Sequence, residues 1–244
     1  MNPFKTIPAL FTVYLEARKY VANISAFKKL RSEGKIEEER ALILQGEKRW
    51  IEAVSAKLNL TYEIKGEENI PEQGPVMIYS NHQSFADIFS ALYLMRNHFQ
   101  IGFVAKSEWK KIKILADAIE YTRSVFLVRD SGREAIRSIQ QASDYLKLGF
   151  SLLIYPEGTR SKSGKMGDFK AGAFKFAQKG KVPILPITVD GGYKMFEEKG
   201  TFQPCNIKIT VHPLVPFDKM NRKEQAEAAI QIEESIKSAL ENNF

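Results

Sequence analysis

The sequence predicts an α/β protein with a central, largely parallel sheet flanked by helices and preceded by an N-terminal amphipathic helical hairpin. Three observations carry that expectation. From residue 60 onward, short apolar runs rich in branched and aromatic residues alternate with helical stretches, as crossovers in a parallel sheet require. Residues 1–59 show helical periodicity instead. With 244 residues, of which 44% are hydrophobic and 27% charged, the chain can bury one substantial core.

At the start, Ile7, Leu10, Tyr14, Ala17, Val21 and Ile24 recur at helical spacing with Phe11 beside them, while Arg18 and Lys19 fall outside that stripe. After the polar stretch from Arg31 to Arg40, a second set (Ile43, Trp50, Ile51, Val54 and Leu58) predicts another helix. Residues 1–31 hold the basic groups Lys5, Arg18, Lys19, Lys28, Lys29 and Arg31 against the single acid Glu16, so much of the net charge of +7 lies there. Apolar Phe4, Ile7, Leu10, Phe11, Val13, Tyr14 and Leu15 are interleaved with them, which favours an anionic membrane surface over nucleic acid as partner. For the second helix, packing on the core is an equal alternative to membrane contact.

A spanning helix needs about 20 mostly apolar residues. The longest uncharged stretch near the start, Thr6 to Leu15, has ten. No small-residue cleavage site of a signal peptide follows before Glu16 and Arg18. The segment over 1–59 is therefore expected to lie on a membrane, with the globular domain over 60–244.

Strands are predicted at Val76 to Tyr79, Ile101 to Ala105, Val125 to Val128, Leu152 to Tyr155, Ile184 to Val189 and Ile207 to Val211. Between them, Ser84 to Met95, Glu108 to Ile119, Arg133 to Leu148 and Gly172 to Lys179 read as helices, with a last helix near Lys223 to Leu240. Four polar signals then share one structural place. Asn81-His82 follows the first of these strands, Lys106 the second, Arg129 the third and Glu157 to Arg160 the fourth. If the strands are parallel, all lie at the carboxyl edge, where open α/β sheets form their ligand crevice.

His82 and Asp87 are five residues apart, a rotation of about 140° on a regular helix, so the pair must straddle a helix start. With His82 in the turn and Asp87 in the first helical turn, the carboxylate can orient the imidazole and stabilise the imidazolium formed when His82 takes a proton from a hydroxyl. A purely structural reading stands beside it: Ser84-Phe85-Ala86-Asp87 has the form of a capping box. Farther on, Tyr155-Pro156-Glu157-Gly158-Thr159-Arg160-Ser161 leads from a strand into a stretch rich in Lys, Ser and Gly. There Arg160 can grip a phosphate bidentately, Gly158 permits close backbone approach and Thr159 offers a hydroxyl, with Lys106, Arg129 and Lys170 as further charges.

Other chemistries fit poorly. Five residues separate Gly158 from Gly164 and Lys165-Met166 follows, which is not a nucleotide phosphate loop. No Gly-x-Ser-x-Gly elbow exists, and the single cysteine, Cys205, lies in a strand-like run and excludes an intramolecular disulfide. His82, His98 and His212 are scattered without metal spacing, so neither a bound metal nor a cofactor is expected.

Taken together, Asn81 to Asp87, Phe126 to Arg129, Tyr155 to Ser161 and Val182-Pro183-Ile184-Leu185-Pro186-Ile187 stand in an order that resembles the 1-acylglycerol-3-phosphate acyltransferase family, within the larger group of glycerolipid acyltransferases. Phe103 to Lys106 and Phe169 to Gly172 add to the likeness, which covers roughly residues 75–190. The resemblance implies that His82, oriented by Asp87, deprotonates the 2-hydroxyl of lysophosphatidic acid for attack on the thioester of an acyl carrier protein or coenzyme A donor. It further implies that Arg160, with Arg129 and Lys106, holds the acceptor phosphate, and that Glu157, Gly158 and Thr159 shape the acceptor site. The location it suggests is the cytoplasmic face of the cell membrane, peripheral or monotopic.

This chain departs from the family pattern in having Arg123 where a glycine usually stands, Val128 in place of an acid, and Tyr155 in place of Phe or Val. Two alternatives stay open. One is acylation of glycerol 3-phosphate or another lysophospholipid by the same pair of residues, and the other is a non-enzymatic peripheral membrane-binding protein.

Overall fold

The computed structural model describes residues 3–128 and 131–241. Three helices begin the chain: α1 (Pro3–Val21), α2 (Ile24–Ser32) and α3 (Ile36–Leu58). The first predicted helix, expected to continue through Ile24, breaks at Ala22-Asn23 and resumes as α2. Both α1 and α2 pack on α3. On α3, Ile43, Ile51 and Val54 are wholly buried, so this helix packs on the core. On α1 the inward face is small and polar, with Thr6, Ala9 and Glu16 buried. Its apolar stripe points away: Ile7 is 61% exposed, Leu10 53% and Phe11 57%.

The sheet has seven strands: β1 (Leu60–Lys65), β2 (Met77–Ser80), β3 (Ile101–Lys106), β4 (Val125–Leu127), β5 (Ser151–Ile154), β6 (Ile184–Asp190) and β7 (Cys205–Val211). Their spatial order is β1-β7-β6-β2-β5-β3-β4. Every neighbouring pair is parallel except β6 with β7. Among the described residues, five further α-helices follow: α4 (Ala86–Met95), α5 (Lys113–Tyr121), α6 (Gly132–Lys147), α7 (Lys175–Gly180) and α8 (Arg222–Glu241).

Side-chain alternation along the strands builds a core on each face of the sheet. Ile78, Leu153 and Leu185 join Ile51, Val54 and Leu94 from α3 and α4. Met77, Tyr79, Leu152, Ile154 and Ile184 join Leu146, Ala177, Ile232 and Ile236 from α6, α7 and α8.

Arg123, in the turn before β4, adopts the left-handed conformation at φ 55°, where a glycine is the easiest occupant. Its guanidinium is held bidentately by the fully buried Glu39 of α3, at 2.8 Å from Nε to Oε1 and 2.6 Å from Nη2 to Oε2. Arg31 of α2 donates to the same carboxylate at 2.7 Å and to the Tyr121 carbonyl at 3.3 Å. A side chain that a glycine could not supply thus ties the N-terminal helices to the sheet.

The strand order decides what meets at the carboxyl edge. β2 lies between β5 and β6, so the loops after these three strands converge. β3 is two strands from β2 and β4 three, roughly 10 and 14 Å across the sheet.

Candidate active site

The turn after β2 is held open by its own side chains. Asn81, fully buried, extends the β2–β6 pairing with its amide: Nδ2 donates to the Val189 carbonyl and Oδ1 accepts from Val189 N–H, both at 2.8 Å. Two main-chain bonds then join the turn to the loop after β5, as Ser161 N–H donates to the His82 carbonyl at 2.8 Å and Lys162 N–H to that of Gln83 at 3.1 Å.

His82 Nδ1 donates to Asp87 Oδ2 at 2.8 Å, leaving Nε2 as the basic nitrogen. The same Oδ2 accepts from Gln83 N–H at 2.6 Å and Ser84 N–H at 2.8 Å. The two readings of Asp87 therefore describe one oxygen, which caps the start of α4 and orients the imidazole together. Asp87 is fully buried, and burial pushes its carboxyl up from the ordinary range while His82 and the two amide N–H groups pull it back. Tyr155 lies flat against one face of the imidazole, at 3.9 Å between ring centroids.

Glu157, buried, is a brace. Its Oε1 accepts from His82 N–H at 2.5 Å and its Oε2 from Gly167 N–H at 2.7 Å, so one carboxylate fixes both the histidine backbone and the loop after β5. Burial pushes its carboxyl up too, against these two N–H donors. Gly158 occupies the left-handed region at φ 76°, where a side chain would be strained.

Arg160 donates from Nη1 to Glu197 Oε1 at 2.8 Å and spreads its guanidinium 3.6 Å over the Phe85 ring. It thus joins the first block across the mouth of the site. Thr159 is exposed at the rim. Lys106 ends β3 and takes no part in the contacts of His82, Asp87, Glu157 or Arg160. Arg129 lies outside the described residues.

The third wall escaped the sequence reading. Directly after β6, Gly192 packs against the first turn of α4 so closely that a side-chain carbon there would stand 2.7 Å from Asp87 Oδ1. Gln83 Nε2 donates to Asp190 Oδ1 at 3.3 Å, and the buried Glu197 meets Ser84, Phe85 and Arg160. Asp190-Gly191-Gly192 follows a predicted strand just as the other blocks do, so the same signal marks it in the sequence. Nothing in the sequence marks Glu197. Cys205, at the start of β7, is no rival nucleophile, because burial pushes its thiol up to about 11.

An imidazole backed by a carboxylate, an open Nε2 and an arginine at the same rim suits transfer of a group to a hydroxyl. The family model described as acyltransferase matches residues 61–190, which contain all of these groups. The chain belongs to the acyltransferase family. A crystal structure of the 1-acyl-sn-glycerophosphate (LPA) acyltransferase PlsC from Thermotoga maritima superposes on this family member with a TM-score of 0.78 and 28% identity, covering 99% of this chain and 97% of that one. A 1-acyl-sn-glycerol-3-phosphate acyltransferase of Borreliella burgdorferi is 30% identical over 73% of this chain and 71% of its own length. One from Chlamydomonas reinhardtii is 36% identical over 69% of this chain. The chain spans about half the length of the Chlamydomonas protein, 50%, and 44% of a chloroplastic relative from Brassica napus.

Proposed function

We propose that the protein transfers a fatty acyl group from a thioester donor to the 2-hydroxyl of 1-acyl-glycerol 3-phosphate, forming phosphatidic acid. The observation that carries this reading is the His82–Asp87 pair with Nε2 open at the sheet edge that Arg160 shares. The relatives' names supply the acceptor. Nε2 takes the hydroxyl proton as the oxygen attacks the thioester carbonyl, and Asp87 balances the imidazolium. The tetrahedral intermediate expels the thiolate, which leaves with that proton. Arg160 holds the acceptor phosphate, Gly158 and Thr159 border its site, and Glu157 keeps the loop in place. Lys106 and Arg129 add positive charge for the acceptor phosphate. The donor is acyl carrier protein or coenzyme A thioester.

The test is release of free thiol from either donor over a panel of acceptors. Lysophosphatidic acid should be acylated in preference to glycerol 3-phosphate and other lysophospholipids, and His82→Ala should abolish transfer. Near-normal turnover by folded His82→Ala would overturn the base assignment.

We also propose that α1 rests on the anionic cytoplasmic face of the cell membrane, as a peripheral or monotopic contact. Its exposed Ile7, Leu10, Phe11 and Tyr14 form one face of the helix. Among the described residues no helix is long and apolar enough to cross a membrane. Leu10→Ser with Phe11→Ser should reduce sedimentation with anionic vesicles, and unchanged sedimentation would reject the contact. Vesicle binding without thiol release would favour the non-enzymatic reading.

A further inference from the structure

We propose that Glu197 is the positioning residue that presents Arg160 to the acceptor's phosphate, an inference that rests on the acyl-transfer reading above. Arg160 extends from the loop after β5 and its side chain is 24% exposed, so the loop alone does not fix its guanidinium. Phe85 covers one face and Glu197 Oε1 takes Nη1. Among the described residues no hydrogen bond uses its Nε or Nη2. Those groups remain for an anion.

Glu197 is itself held from the other side. Ser84 Oγ donates to its Oε2 at 2.6 Å and Phe85 N–H to its Oε1 at 3.2 Å. Ser84 also donates its backbone N–H to Asp87 Oδ2, the oxygen that orients His82. The base and the phosphate anchor are therefore connected through Asp87, Ser84 and Glu197, all of them buried.

The acceptor demands such a linkage. Its reacting hydroxyl and its phosphate sit on adjacent carbons, so the distance from Nε2 to the anchor must be set closely, and a misplacement of about 1 Å can cost about a hundredfold in rate. A buried carboxylate beside a phosphate site would otherwise only repel the substrate. Its place is accounted for when it orients the arginine.

The experiment varies lysophosphatidic acid at saturating acyl donor, then the donor at saturating acceptor, for Arg160→Ala, Glu197→Ala, Glu197→Gln and the Arg160→Ala/Glu197→Ala double variant. Glu197→Ala should lower kcat/KM for the acceptor by about tenfold to a hundredfold and leave the donor KM unchanged. Glu197→Gln, which keeps an acceptor oxygen for Nη1, should recover most of that loss. In the Arg160→Ala background, removing Glu197 should have no further effect. Additive losses in the double variant, or a donor KM that rises in parallel, would make Glu197 a mere support of α4 and overturn the proposal. Glu197→Asp keeps the charge but withdraws it by one methylene, and carries the same expectation if the Ala variant does not fold. If Arg160→Ala itself leaves the acceptor response unchanged, it is the phosphate role of Arg160 that fails.

Discussion

The imidazole of His82 and the phenol of Tyr155 stack in nearly parallel planes, inclined by 10°. Asp87 fixes one nitrogen of the ring and Tyr155 fixes its plane, which together aim Nε2. The Tyr155 hydroxyl is buried and has no hydrogen-bond partner among the described residues, and burial pushes it well above the ordinary tyrosine range. Only the ring is used.

Tyr155→Phe should therefore retain turnover and melt at the same or a higher temperature, since an unpaired buried hydroxyl costs about 1–3 kcal/mol. Tyr155→Ala should lower kcat by about tenfold or more, because the imidazole loses its backing. Steady-state kinetics and thermal melts of the two variants check this. Equal activity in both would show that the stack does not aim the base.

Asp87→Asn separates charge from shape. Three donors converge on Oδ2 while Oδ1 has no partner among the described residues, so an amide can place its oxygen where Oδ2 stands and its nitrogen where Oδ1 stands. The fold should survive, with kcat falling about a hundredfold or more as the imidazolium loses its counter-charge. Full activity with an unchanged melt would mean that something else orients His82.

Much of this site was legible because buried parallel strands are continuous apolar runs, and the polar residues that end them stand out. The same reasoning was silent on β1, whose Thr61, Glu63 and Lys65 alternate with apolar neighbours at the sheet edge. How far Lys106 lies from His82 was not legible, because that distance depends on the spatial order of strands, which is not written in any local pattern. Glu197 was invisible for a related reason. Its partners come from β2's turn and β5's loop, and its own segment has neither periodicity nor motif.

Glu39 supports two arginines at once, and Arg123 keeps only 10% of its side chain in contact with solvent. Removing the carboxylate leaves that charge buried without its partner. Glu39→Ala should destabilise the fold by about 3–5 kcal/mol. Arg31→Ala should cost less, because Arg31 is 26% exposed and Arg123 still pairs with Glu39. Urea unfolding of the two variants measures the difference, and equal losses would contradict it.

Burial pushes the carboxyl of Glu47, on α3, well above its ordinary value of 4.5. Between that value and the raised one, the folded chain keeps a proton that the unfolded chain has released. Stability therefore falls as pH rises through this window and levels off above it. Glu47→Gln has no such proton, so its urea midpoint should gain on that of the parent as pH rises from about 4.5. Parallel midpoint curves from pH 4 to 8 would show that Glu47 ionises freely in the fold.

The main-chain bonds from Ser161 to His82 and from Lys162 to Gln83 mean that the surroundings of His82 are completed by a segment made some 80 residues later in the chain. A growing chain carries His82 and Asp87 long before it carries the loop that braces them, and β2 gains both of its neighbours only when β6 has been made. Until then His82 has neither its Glu157 brace nor the Gly192 wall behind Asp87. An incomplete chain therefore carries His82 and Asp87 without the surroundings that fix them.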